Sequence, residues 1–99
     1  MKKVITKTFA QIYREYKEIK KKHPDSVILY RVGDFYEAYG DDAKKLVEFG
    51  TRPAVRACED SQVDITGFPH HALDTYLPKL VRAGNKVAIC EDISKTTQE

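Results

Sequence analysis

Apolar and polar residues follow one another along this chain in blocks of different period. Phe9, Ile12, Tyr13, Tyr16 and Ile19 recur at the three-and-four spacing of one helix face, while Arg14, Lys17, Glu18 and Lys21 fill the other. Thr8, with Gln11 three residues on, has the form of a capping box. The predicted helix runs from Phe9 to Lys22. It stops before Pro24, because a proline pushes the preceding residue out of the helical region. The run Val27-Ile28-Leu29-Tyr30-Arg31-Val32 is β-branched and almost continuously apolar, which predicts a central strand covered on most of both faces. Gly33-Asp34 interrupts it, and Phe35 to Tyr39 resumes an extended pattern that ends at Gly40.

A short helix through Phe49 is expected next. Asp41 or Asp42 would cap it, Ala43, Leu46 and Val47 would face inward, and Gly50 would end it. Residues 51–66 are less legible: a short strand from Arg52 to Ala57, a loop from Glu59 to Gln62 and a second strand from Val63 to Thr66. Ala72, Leu73, Tyr76, Leu77, Leu80 and Val81 again have helical spacing, closed by Gly84, with a kink or restart expected at Pro78. Lys86 to Cys90 reads as a last buried strand. Residues 1–8 form a basic tail and 94–99 a polar one. The order predicts a fold of the α/β or α+β class: one small domain, a mixed β-sheet flanked by about three helices.

Composition narrows the function classes. Charged residues are 32% of the 99 and hydrophobic ones 41%, a globular balance, and no apolar run could cross a bilayer. The lysine-rich start lacks the apolar stretch of a signal peptide, so a soluble, cytoplasmic protein is expected. Cys58 and Cys90 stand far apart, and with His23, His70 and His71 they make no metal-ligand spacing. Both cysteines are read as ordinary thiols, Cys90 as a small core residue. Adjacent histidines on a helix diverge by about 100°, so His70 and His71 are assigned to packing or solvent at a helix start. No phosphate-binding glycine loop or nucleophile–base pair appears, and no catalytic function is expected. Charge is lopsided. Residues 1–23 carry +6 and the remaining 76 carry −4, which suits either attraction to a polyanion or a solvated helix face.

Gly33-Asp34-Phe35-Tyr36-Glu37 is the segment that can carry chemistry. Gly33 lets the strand turn sharply. A period of two then puts Phe35 and Glu37 on one side and Tyr36 on the other, in the core. Spacing alone also allows Phe35 to be core and Glu37 to be plain surface.

Preceded by Val27 to Val32, this segment closely resembles the mismatch-recognition motif in the N-terminal domain (domain I) of the MutS DNA mismatch repair family. The stretch from Gly67-Phe68-Pro69-His70-His71-Ala72 to Gly84, followed by Val87 to Glu91, resembles the same domain. So does the opening helix with Tyr16, Lys17, Ile19, Lys20, His23 and Pro24. The resemblance covers residues 9–93. It is thinner over 51–66, where Ile65-Thr66 replaces the usual small-residue pair.

What it implies is a DNA-binding module that recognises mispaired or unpaired bases in duplex DNA. Phe35 would match the aromatic wedge that stacks on the mispaired base, Glu37 the acid that hydrogen-bonds its edge, and Gly33 and Asp34 the turn that presents the wedge. The resemblance further implies no cofactor in this domain, with ATP and Mg confined to the ATPase region of longer relatives. It also implies a monomeric isolated domain from a family of dimers, located in the bacterial cytoplasm at the nucleoid. A MutS-like interaction domain that no longer reads mismatches is the competing expectation.

Overall fold

In the computed structural model, which describes residues 3–4, 7–91 and 96–97, the first helix (α1, Phe9–Lys22) has the bounds its period predicts. Both halves of the capping box form: Gln11 N donates to Thr8 Oγ1 at 3.2 Å, and Thr8 N donates to Gln11 Oε1 at 2.9 Å. The apolar run forms β2 (Ser26–Val32), and Phe35–Tyr39 forms β3. A short helix α2 (Asp41–Val47) follows, then β4 (Ala54–Cys58), β5 (Ser61–Pro69), a 3-10 turn over His70–Ala72, the helix α3 (Leu73–Arg82) and β6 (Lys86–Glu91).

The strands make one mixed sheet in the order β4-β5-β3-β2-β6, with β2 and β6 parallel and every other pair antiparallel. With three helices this is an α+β arrangement. Alternation along the strands divides the core in two. Ile28, Tyr30, Tyr39, Val63 and Ile65 face α1 through Ile12 and Tyr16. Val27, Leu29, Tyr36, Ala38 and Phe68 face the opposite side, with Leu46 of α2 and Leu80 of α3. Both faces of β2 are therefore covered, which is why its sequence is apolar without alternation.

Several expectations need correction. Neither Asp41 nor Asp42 caps α2: its N-cap is Gly40, without a side-chain hydrogen bond. Asp42 is buried and does something else. Its Oδ2 accepts from Tyr16 Oη at 2.8 Å and from the amide of Ile28 at 3.1 Å, and its Oδ1 from Lys20 Nζ at 2.8 Å. The β2–β3 ladder runs only from Tyr30 to Val32, so Asp42 supplies Ile28 with the acceptor that a longer β3 pairing would have supplied.

The last strand is not buried. Among the described residues β6 is a sheet edge paired only to β2, with Ile89 exposed and Cys90 half-buried; burial pushes the Cys90 thiol pKa up. α3 runs through Pro78 as one helix, so of the kink or restart expected there the restart does not occur. Glu91, the last residue of β6, is tied to the core: its Oε2 accepts from the Tyr36 hydroxyl at 2.8 Å. The two expected tails, and the expected domain end at 93, lie partly or wholly outside the described residues. Where they are described, β1 (Lys3–Val4) and β7 (Thr96–Thr97) pair antiparallel as a separate two-stranded ribbon.

Candidate nucleic-acid interface

The β2–β3 hairpin turns in two residues. Val32 pairs with Phe35, and Gly33 carries a φ of +59°, the backbone that the first position of a type II′ turn requires and that glycine adopts without steric cost. The turn is held from outside as well: Arg31 Nε donates to Gly33 O at 2.7 Å, and the amide of His70 donates to Asp34 O at 2.7 Å. His70 and His71 thus sit in the 3-10 turn beside the hairpin tip. Among the described residues no group of three or more His, Cys, Asp or Glu could hold a metal ion.

Beyond the turn, the period of two does what the sequence predicts. Tyr36 is 4% exposed, packed near Phe68 and bonded to Glu91, while Phe35 is 48% exposed and belongs to neither core cluster. Glu37 lies on the Phe35 side and borders the same depression, with most of its side chain covered. Its side chain is 15% exposed, and its Oε1 accepts from the Tyr39 hydroxyl at 2.7 Å and lies 3.7 Å from Arg56 Nη1.

Opposite Glu37 in the ladder stands Gly67, where a Cβ would come within 2.5 Å of Tyr36 O and 3.4 Å of Glu37 Cγ. Glycine is needed here for close approach of the two strands, not for an unusual backbone angle.

Sequence reasoning missed Arg52 and Arg56. They border a cavity of about 220 Å³ together with Phe35, Glu37, Thr66 and Gly67. Thr66 Oγ1 donates to Arg52 O at 2.6 Å, and the Arg56 guanidinium rests 5.1 Å from the centre of the Phe9 ring. The signal was present in the alternation Arg52, Ala54, Arg56, but it points nowhere until the β4–β5–β3 register is known. The basic last turn of α1 is elsewhere: Lys20 donates to Ser26 O at the end of β2 remote from the hairpin tip. The surface around Phe35 therefore combines a flat exposed ring, a carboxylate with one oxygen already held, and two guanidinium groups. An aromatic face can stack on a base, a carboxylate can meet a base edge, and guanidinium groups pair with phosphates.

Residues 10–99 match the family model described as MutS domain I. A DNA mismatch repair protein MutS of Porphyromonas gingivalis is 55% identical over 84 residues, covering 83% of this chain and 9% of that protein. The protein of the same name from Parabacteroides distasonis is also 55% identical over 84 residues, covering 83% of this chain and 10% of that protein. One from Bacteroides fragilis is 50% identical over 90 residues, 87% of this chain and 10% of its own length. The chain thus spans about a tenth of the length of the curated relatives it matches.

Proposed function

The chain belongs to the MutS domain I family, and we propose that it reads mispaired or unpaired bases in duplex DNA as part of DNA mismatch repair, with Phe35 as the wedge and Glu37 as the base-edge contact. The observation that carries this reading is the contrast between neighbours on one strand: Tyr36 anchored in the core and Phe35 half-exposed. An exposed ring on a turn held by two hydrogen bonds offers a fixed face on which a base can stack.

The energetics fit a reader of deformability. Wedging a side chain between bases costs a few kcal/mol of unstacking, and the cost is least where pairing is already poor. Stacking on the inserted ring returns about 1–3 kcal/mol. Discrimination then comes from how readily the duplex opens, with no sequence code needed. Gly33 and Asp34 set the angle of insertion, and Arg52 and Arg56 pair with phosphates. A carboxylate beside phosphates is repelled unless it is aimed at a base edge, which is the role given to Glu37.

The role is binding only, with ATP and Mg left to other parts of longer relatives. The isolated domain acts as a monomer, in the cytoplasm at the nucleoid. With few cations at the site, this chain alone binds with a Kd of roughly 10⁻⁴–10⁻⁶ M, strongly weakened by salt.

Phe35→Ala tests the reading. In this chain and in a MutS protein carrying it, the change costs ~1–3 kcal/mol on a duplex with one mismatch and almost nothing on the paired duplex. Equal affinities of wild type and variant for the mismatched duplex, with the fold intact, would leave an interaction domain in place of a reader.

A further inference from the structure

The carboxylate of Glu37 is divided between two jobs. Oε1 takes the Tyr39 hydroxyl at 2.7 Å and faces Arg56 Nη1 at 3.7 Å. Oε2 accepts no hydrogen bond from the described residues, yet it is not sealed from solvent. What holds Oε1 is set by the core rather than by the surface. The ring of Tyr39 is fully buried, and Phe9, Tyr13 and Tyr16 meet it edge-on at centroid distances of 5.4, 6.1 and 5.2 Å.

We propose that Tyr39 is a positioning residue for base reading: its hydroxyl pins Oε1 of Glu37, so that Oε2 alone is presented to the base edge. The proposal rests on the roles given above to Phe35 and Glu37. The hydroxyl is a permanent donor, because burial and then the neighbouring Glu37 carboxylate raise the phenol pKa well above its ordinary 10.0.

The competitor it holds off is Arg56. A guanidinium prefers to bind both oxygens of a carboxylate at once. Arg56 Nη1 stands 3.7 Å from Oε1, beyond a hydrogen bond, while the Tyr39 hydroxyl at 2.7 Å fixes how the carboxylate is turned. Without Tyr39 Oη, Glu37 turns to Arg56, which withdraws both oxygens from the base and neutralises a cation needed for phosphate.

Tyr39→Phe preserves the ring and removes only the donor, so the core stays filled. The test uses a MutS protein carrying this domain and three duplexes of one sequence: fully paired, with a single G·T mismatch, and with a single unpaired thymine. Anisotropy titrations give the ratio of mismatched to paired affinity, and thermal melting confirms the fold. Tyr39→Phe is expected to lower that ratio about three- to tenfold, the range of one lost hydrogen bond. On the Glu37→Gln background it should leave the ratio unchanged, and on the Arg56→Gln background the loss should largely disappear.

A merely structural Tyr39 would lower the ratio equally on all three backgrounds, and that result overturns the proposal. So does an unchanged ratio in Tyr39→Phe while Phe35→Ala still lowers it, which would leave the wedge reading standing without this residue. An unchanged ratio in Phe35→Ala would overturn both.

Discussion

Replacing Asp42 by alanine removes three contacts whose losses can be weighed one at a time. The amide of Ile28, on a fully buried strand position, loses an acceptor at 3.1 Å. An orphaned buried donor costs about 1–3 kcal/mol. The Tyr16 hydroxyl loses a bond at 2.8 Å but keeps Tyr39 O at 3.0 Å, so its share is below about 1 kcal/mol. Lys20 loses its ion pair at 2.8 Å, keeps Ser26 O and is 29% exposed, which limits its share to about 0.5–1 kcal/mol.

The sum is about 1.5–5 kcal/mol, against a total near 5–15 kcal/mol for a domain of this length. At about 4–8 °C per kcal/mol for small domains, the melting temperature should fall by about 6–40 °C. Asp41→Ala is the control. Asp41 is 98% exposed and, among the described residues, its carboxylate is paired only with Lys44, at 4.0 Å, so its removal should stay within about 0.5 kcal/mol. Urea unfolding followed by circular dichroism, with an unchanged m-value, measures both. If Asp42→Ala cost less than about 1 kcal/mol, or no more than Asp41→Ala, Asp42 would be an ordinary helix-start residue and the bridging role would be wrong.

Gly67→Ala puts a Cβ 2.5 Å from the backbone oxygen of Tyr36, which cannot swing aside. Overpacking of that kind should cost about 1–3 kcal/mol in the same unfolding assay, and an unchanged midpoint would refute the close-approach reading. Alkaline pH should destabilise the fold, because Tyr16 and Tyr39 have folded pKa values raised by burial above the unfolded 10.0. Above pH 10 the unfolded chain releases protons that the folded one retains, so stability is full below that value. It should fall by up to about 1.4 kcal/mol per pH unit for each tyrosine above it. Tyr16→Phe should flatten this slope, and a slope unchanged by the substitution would exclude Tyr16 as its source.

Local rules carry far in this chain. The capping box and the helical spacing define α1 to the residue, because both act between residues three or four apart. The two-residue turn at Gly33-Asp34 and the alternation after it separate Phe35 from Tyr36, because the pleat leaves no third side. The family of the chain, too, is written in these short motifs.

What those rules cannot reach is which segments become neighbours across long loops. Asp42 looks like a helix cap until α2 is set against β2, where an unpaired amide awaits an acceptor. Lys86 to Cys90 looks interior because its residues are apolar, but strand order puts it at an edge. Arg52 and Arg56 lie at least 15 residues from Glu37 in the chain, and only the register of three antiparallel strands brings them to one cavity. The hydroxyl of Tyr39 reaches Glu37 because α1 closes over β3 and leaves that buried phenol an acceptor on its own strand. Sequence by itself therefore determined α1, the turn and the two sides of the strand after it, each a matter of spacing, and left to packing which side is covered. The partners of buried polar groups depended on packing, since a donor taken out of water must be satisfied by whatever group the fold sets beside it.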